Sequence, residues 1–298
     1  KFEELLTTTL TLSAMEFVTL ANGVKMPKLG YGAYAIDKED STRILHAAVD
    51  AGYRLFDTAA AYLNEGEVGQ ALKTCGVPRD QLFITTKVWF TECTYEQARH
   101  SVERSLKRLQ TDYVDLVLIH QPFNDYYGAY RALEEFYKAG TVRAIGVSNF
   151  IPDRLNDLAK FSDVVPHLNQ IEINPYYQQE TERAFMESIG VQAQAWAPLG
   201  RGRNGVMDDP TLVRIAEEHR VTVPQVILRW LMNRGIAVIA KSNNPDRIRQ
   251  NLESLDVVLS DDDMKAIAGL ETGKSLFFDY TKPETLDNFL ARNTQLDY

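Results

Sequence analysis

The chain of 298 residues contains little cysteine and few histidines. Its cysteines, Cys75 and Cys93, form no CxxC pair, and we expect ordinary thiols in a reducing compartment. None of the five histidines belongs to an HxH or HExxH motif, which argues against a metal site. A domain of this size buries roughly 75% of its unfolded surface, so its core needs neither a disulfide nor a metal.

Long apolar runs and blocks of like charge are also lacking. No stretch approaches the about 18 apolar residues of a membrane-spanning helix. The net charge is −9 with acids and bases interspersed, which argues against nucleic-acid binding. We therefore expect a cytoplasmic protein, monomeric or weakly homo-oligomeric, that binds neither membrane nor nucleic acid. Residues 1–14 are interpreted as an extension, native or added by cloning, and residues 15–298 as one domain.

The chain does contain a series of short apolar runs that carry a chemically capable residue at or near their ends. Such runs, alternating with helix-like stretches, predict parallel strands buried on both faces. With KLGYGAY (28–34) as the first, they predict an α/β fold, a single (β/α)8 TIM barrel. The residues would gather on the active rim of that barrel. They are Asp57, Lys87, His120, Ser148, Asn149, Gln170, Trp196, Lys241 and Ser242.

Three further features complete the predicted architecture. Asn22-Gly23 within residues 17–26 predicts a β-hairpin that plugs one end of the barrel. Helical patterns near 209–219 and 223–233 both precede the last strand, so one is an extra helix, and another follows near 261–269. Residues 271–298 lack periodicity but keep aromatic side chains, so we expect an irregular substrate-loop tail lying on the pocket rim.

Several motifs have a second, structural interpretation. Residues 30–35 match the GxGxx(G/A) dinucleotide fingerprint, but no helix pattern opens at these glycines, which argues against a Rossmann domain. Asp57 and Ser148-Asn149 could simply cap helices, and His120 could be a hydrogen-bonded structural histidine. Lys87 is harder to explain in this way, because a lysine that ends a buried strand needs a partner.

Asp57, Tyr62, Lys87 and His120 permit acid catalysis if the barrel brings them together. Tyrosine ordinarily ionises at about pH 10, and a neighbouring Lys87 ammonium should lower that pKa, with Asp57 holding the lysine charged. Tyr62 would donate a proton and His120 would hydrogen-bond a substrate oxygen. The set holds no nucleophile with an adjacent base, which argues against acyl or glycosyl transfer. It suits protonation of an oxygen while another group supplies hydride.

Two basic segments predict an anionic ligand. Arg247 lies in the first turn of the helix after the last strand, where a cation opposes the helix dipole, so an anion would explain it. A basic surface turn is the alternative. The glycine-rich loop 200–205 could fold over a pyrophosphate, and Trp196 before it offers a flat face to an aromatic ring.

These segments resemble the aldo-keto reductase superfamily from about Phe17 to Leu270. The matching motifs are LGYGAY, GYRLFDTAAAY, ITTKVW, YVDLVLIHQP, RAIGVSNF, LNQIEINPY, AWAPLG and IAKSNNPDRIRQN. The resemblance implies a barrel that binds NADP(H) across its rim, with Tyr62 as acid, tuned by Lys87 and Asp57, and His120 orienting the substrate. The implied cofactor contacts are Ser148, Asn149 and Gln170 to the carboxamide, Trp196 to the nicotinamide, Lys241, Ser242 and Arg247 to the 2′-phosphate, and Asn251 to the adenine, with Ala197, Leu199 and Asn243 beside them.

The same resemblance implies a substrate pocket containing Tyr34, Trp89 and Gln121. Tyr34 and Gln121 stand where many members carry tryptophan, which leaves substrate preference open. We expect an NADPH-dependent reductase of aldehydes or ketones, similar to diketogluconate reductases and prostaglandin F synthases. The alternatives are an NADP(H)-sensing regulatory protein with negligible turnover, and a barrel hydrolase or isomerase. No metal ligands are expected.

Overall fold

The computed structural model describes residues 15–292. The predicted extension, residues 1–14, and the end of the tail lie outside the described residues. Eight parallel strands form a closed barrel, each paired with the next along the chain and the last with the first. This confirms the predicted (β/α)8 barrel. The barrel strands are β3 (Leu29–Gly32), β4 (Leu55–Asp57), β5 (Phe83–Val88), β6 (Leu116–Ile119), β7 (Ile145–Ser148), β8 (Leu168–Glu172), β9 (Gln192–Trp196) and β10 (Ala237–Ala240).

The barrel strands are buried on both faces, which explains their short apolar sequences. Every residue of β4 to β8 and of β10 is buried, since one face meets the barrel interior and the other meets helices. A Cβ atom at Gly30 would lie 2.5 Å from Leu55 Cγ and 2.7 Å from Ile239 Cδ1. The glycines of the apparent dinucleotide fingerprint therefore serve close packing inside the barrel, and the prediction against a Rossmann domain is confirmed.

Helices surround the barrel and follow its strands. Thr94 and Ser260 cap the helices that follow them, and the acidic residues after Ser260 complement the positive helix end. Two helices lie between β9 and β10, as predicted. The helices are α1 (Ser41–Ala51), α2 (Glu65–Thr74), α3 (Tyr95–Leu109), α4 (Tyr126–Lys138), α5 (Pro152–Phe161), α6 (Glu180–Ser188), α7 (Pro210–His219), α8 (Val223–Asn233), α9 (Pro245–Leu252), α10 (Asp261–Ala268) and α11 (Pro283–Arg292).

The predicted hairpin closes the amino-terminal mouth of the barrel. Its strands are β1 (Phe17–Thr19) and β2 (Lys25–Pro27), paired antiparallel. Val18 and Met26 pack in one cluster with residues that open the barrel strands, among them Leu55 and Phe83. One end of the barrel is thereby filled with apolar side chains, and the polar strand ends gather at the opposite end.

The tail follows its predicted path but is more regular than predicted. It lies on the rim, where Phe289 approaches Trp89 with ring centroids 6.0 Å apart. The expectation of irregular structure is wrong for α11, which buries Thr285 and Phe289, four residues apart on one face. So short an apolar stripe is weak in sequence, and packing on the rim stabilises it. No helix in the described part of the chain is long and apolar enough to cross a membrane.

Candidate active site

A buried ion pair lies at the carboxyl ends of two neighbouring strands. Lys87 Nζ donates to Asp57 Oδ1 at 2.5 Å and to the Thr58 carbonyl at 3.0 Å. Gln170 Nε2 donates to the other oxygen, Asp57 Oδ2, at 2.8 Å. The side chains of Lys87 and Asp57 are 0% and 4% exposed. These hydrogen bonds allow two charges to remain buried together, so Asp57 serves this pair and does not cap a helix.

Tyr62 lies beside this pair, in a turn that its neighbours hold in place. The Lys87 ammonium is 5.1 Å from the Tyr62 ring centroid, so its charge acts directly on the phenol. The turn is fastened by Asn64, which accepts from Thr58 Oγ1 at 2.8 Å and donates to the Ala33 carbonyl at 2.7 Å. The phenol is therefore placed by local backbone structure rather than by a flexible loop.

The pKa values of Tyr62 and Lys87 are both shifted, and the shift of Tyr62 differs from the expectation. Burial raises the pKa of Tyr62, and the opposing effect of Lys87 does not overcome it. Lys87 thus lowers the pKa of Tyr62 as predicted, but burial, which the prediction left out, outweighs it in the protein alone. Burial also lowers the pKa of Lys87, but Asp57 and Tyr62 more than offset this and raise it. A protonated phenol therefore lies next to a charged ammonium.

His120 faces Tyr62 from the end of β6. Its ring centroid is 5.6 Å from that of Tyr62 and 4.8 Å from that of Trp89. Burial, with a smaller effect of the Lys87 charge, holds the pKa of His120 well below its usual range, so the imidazole is neutral. The Nδ1 atom of His120 is buried and has no hydrogen-bond partner among the described residues, whereas this does not hold for its Nε2 atom. Because a buried N–H is rarely left unpaired, we assign the proton to Nε2, facing the pocket.

The middle strand ends form one connected polar network. Ser148 Oγ donates to the Gln170 carbonyl at 2.7 Å, and Gln170 Nε2 also donates to Gln194 Oε1 at 2.7 Å. Asn149 has a left-handed backbone, with φ of 64°, and its Oδ1 accepts from Trp196 Nε1 at 2.7 Å. Four of the predicted residues thus lie in direct contact. Their amides and hydroxyl provide both donors and acceptors for a carboxamide.

Three cations lie near the other side of the rim without ion pairs. Arg201, Lys241 and Arg247 form no salt bridge within residues 15–292. Lys241 Nζ donates to the Ala35 carbonyl at 3.0 Å, and Arg247 Nε donates to Ser242 Oγ at 3.3 Å. Burial lowers the pKa of Lys241, the charge of Asp37 opposes this, and the charge of Arg201 acts in the same direction as burial. Cations without an ion pair, lying close together, favour an anionic ligand.

The remaining predicted cofactor residues lie along the same part of the rim. Asn251 is buried and follows Arg247 by four residues on α9, so the two share a helix face. Asn243 is exposed beside Ser242. Ala197 adopts a left-handed backbone, with φ of 47°, directly after Trp196, and Leu199 follows it before the glycine-rich loop.

The glycine-rich loop, residues 200–205, reaches across the rim. Arg201 lies over the Tyr34 ring at 4.8 Å and over Phe277 at 5.3 Å. Arg203 donates to the Leu276 carbonyl at 2.9 Å. Phe277 packs against Trp196, with ring centroids 5.2 Å apart. The loop and the tail therefore form one continuous cover beside the proposed cofactor and substrate positions.

Two contacts that fasten the tail were not predicted. Glu172, at the end of β8, accepts from Ser275 Oγ at 2.5 Å and from the Leu276 amide at 2.8 Å. Tyr280 donates its hydroxyl to Gln121 Oε1 at 2.9 Å. The acidic residue inside the apolar run HLNQIEI was a usable signal for the first contact, because a buried carboxylate needs donors. No group of three His, Cys, Asp or Glu side chains within residues 15–292 could hold a metal.

Comparison with known proteins identifies relatives of this chain. The model of the "Aldo/keto reductase family" matches residues 20–272, most of the chain. Glyoxal reductase of Bacillus subtilis is 44% identical over 260 residues, which cover 87% of this chain and 94% of that protein. An aldo/keto reductase structure from Brucella melitensis has a TM-score of 0.83 at 41% identity, covering 86% of this chain and 99% of that one.

A Bombyx mori aldo-keto reductase in complex with NADP has a TM-score of 0.83 at 32% identity. The match covers 90% of this chain and 96% of that one. The chain therefore belongs to the aldo/keto reductase family.

Proposed function

We propose, from this family membership and from the site, that the protein is an NADPH-dependent reductase of aldehydes and ketones. The observation that carries the proposal is the position of the Lys87 ammonium 5.1 Å from the centroid of the Tyr62 ring, with Lys87 held charged by Asp57 and with neutral His120 beside the phenol. Such a group protonates an oxygen but provides no activated nucleophile. Reduction of a carbonyl group needs that proton and a hydride.

Tyr62 is proposed as the general acid. Reduction adds a hydride to the carbonyl carbon and a proton to its oxygen, which yields an alcohol. As negative charge develops on the oxygen, the Tyr62 hydroxyl donates its proton. The Lys87 ammonium then stabilises the phenolate left behind, because a neighbouring positive charge favours the ionised phenol.

His120 is proposed to orient the substrate. Its Nε2–H can donate to the carbonyl oxygen, so that oxygen would lie between two donors, Tyr62 and His120. A neutral imidazole suits this role, since it donates without competing with Tyr62 as the acid.

The residues of the rim fit NADPH, which supplies the hydride when bound. Ser148, Asn149 and Gln170 would hold the carboxamide, and Trp196 would contact the nicotinamide ring. Lys241, Ser242 and Arg247 would hold the 2′-phosphate, which accounts for cations that have no carboxylate partner in the described chain. The NADP complex of the Bombyx mori relative supports NADP(H) as the cofactor.

The test is oxidation of NADPH with a panel of small aldehydes and ketones, followed at 25 °C with and without protein. Glyoxal belongs in the panel, because the Bacillus subtilis relative is named a glyoxal reductase. We expect turnover with at least one carbonyl substrate. Tight NADPH binding without turnover on any of them would instead indicate a cofactor-sensing protein.

A further inference from the structure

The side-chain oxygen of Gln121 accepts two hydrogen bonds, which fix the orientation of the amide. Gln121 directly follows His120 at the rim and is 5% exposed. Its Oε1 accepts from the Tyr280 hydroxyl at 2.9 Å and from Asn149 Nδ2 at 3.3 Å. The tail and the cofactor side of the rim therefore meet at this one oxygen atom.

The direction of each hydrogen bond in this cluster can be assigned. An indole N–H only donates, so Trp196 fixes Asn149 Oδ1 as an acceptor and Asn149 Nδ2 as a donor. Nδ2 also donates to the His120 carbonyl at 3.1 Å, which agrees with this orientation. Burial raises the pKa of Tyr280 far above its usual range, so its hydroxyl remains a donor. Gln121 must therefore present its oxygen to these two donors.

The amide nitrogen of Gln121 is left over. It donates to no residue within the described range 15–292. The nitrogen is not fully buried either, so it reaches solvent. A side chain that is nine-tenths buried thus keeps both N–H groups of its amide unused, on the residue that directly follows His120. An unmade hydrogen bond at a buried group has a cost that a ligand acceptor would remove.

We infer that Gln121 selects carbonyl substrates that carry a second oxygen, a hydroxyl or an oxo group, on the carbon next to the reacting carbonyl. Asn149 joins the two residues, because its Nδ2 donates both to the His120 carbonyl and to Gln121 Oε1, so the Gln121 amide and the His120 imidazole would serve two oxygens that lie close together. Tyr280 acts as a positioning residue, because its hydroxyl holds the Gln121 amide in the donating orientation. The inference rests on the proposed carbonyl reduction and adds the substrate class to it.

The test compares propanal with 2-hydroxypropanal, which differ by one hydroxyl. The preference is the ratio of kcat/KM for 2-hydroxypropanal to that for propanal. Gln121→Met keeps the length of the side chain without its amide, and we expect this preference to fall about tenfold, the worth of one hydrogen bond. Any disturbance of Asn149 affects both aldehydes and cancels in the ratio. An unchanged preference in Gln121→Met would overturn the inference.

Tyr280→Phe tests the positioning role. The phenyl ring keeps the aromatic packing of the tail but loses the bond to Gln121, so we expect the preference to fall about threefold, since Asn149 still holds the amide oxygen. Tyr137→Phe is the matched control, because Tyr137 lies at the far end of α4 and its hydroxyl makes no hydrogen bond in the described chain. A preference in Tyr280→Phe equal to that of Tyr137→Phe would remove Tyr280 from its role.

Measuring the binding of the two aldehydes distinguishes a failure of this inference from a failure of the proposed function. If neither aldehyde supports NADPH oxidation, carbonyl reduction of these substrates fails. The dissociation constants of both aldehydes, measured by quenching of tryptophan fluorescence, still decide the role of Gln121. A hydroxyl preference in binding that Gln121→Met abolishes supports the inference, and equal ratios in wild type and variant overturn it.

Discussion

The Lys87 ammonium lies 5.1 Å from the centroid of the Tyr62 ring. Its buried hydrogen bonds go to the Asp57 carboxylate and the Thr58 carbonyl. The ammonium cannot move away from the phenol without breaking one of these bonds, so the distance over which its charge acts on the phenol is fixed.

Tyr62→Phe removes the proposed acid and keeps the ring. We expect turnover to fall by about a hundredfold or more, in line with loss of general acid catalysis, while the NADPH dissociation constant changes little. Steady-state NADPH oxidation and fluorescence titration measure the two effects, with Tyr137→Phe as control. Turnover equal to that of the control would show that another group donates the proton.

Lys87→Met should destabilise the fold as well as abolish turnover. It leaves the Asp57 carboxylate buried without its cation, which costs about 3–5 kcal/mol of unfolding free energy. Urea denaturation measures this loss. Adding Asp57→Asn to the same chain removes the unpaired charge, so the double variant should recover most of the stability and none of the activity. Equal stability of single and double variants would contradict the buried-pair explanation.

Lys241→Met and Arg247→Met should weaken NADPH binding far more than NADH binding. Each removes a charge-assisted contact to the 2′-phosphate, worth about 1.5–3 kcal/mol, so we expect a tenfold or larger rise in the NADPH dissociation constant. Arg249→Met, on the same helix but paired with Asp246, is the control. Equal losses for NADPH and NADH would exclude a 2′-phosphate site here.

The pH dependence of reduction follows from the shifted pKa values of His120 and Tyr62. The lowered pKa of His120 keeps its imidazole neutral across neutral pH, so it contributes no change in kcat between about pH 6 and pH 8. Tyr62 acts in its protonated form, and its raised pKa keeps that form populated until the medium is strongly alkaline. We expect kcat to stay flat through neutral pH and to fall only at alkaline pH. A fall centred near pH 6.5 would indicate that His120 titrates.

The barrel was predictable because both faces of each strand are buried, which forces short apolar runs and makes residues such as Asp57 and Lys87 conspicuous at their ends. Contacts between distant segments were not predictable in this way. Tyr280 and Gln121 are 159 residues apart, and neither side chain alone indicates its partner. The net pKa of Tyr62 was also beyond the sequence, because it depends on a balance between burial and the Lys87 charge that only coordinates define.

The hairpin at the amino-terminal mouth has a practical consequence for handling the protein. Glu16, just before β1, pairs with Lys28 and Arg229 at the end of the barrel away from the catalytic rim. A resin, an electrode or a fused protein attached directly at Met15 would therefore stand behind the barrel and leave the substrate mouth open. Attachment through the tail would instead crowd α11, which packs on that mouth.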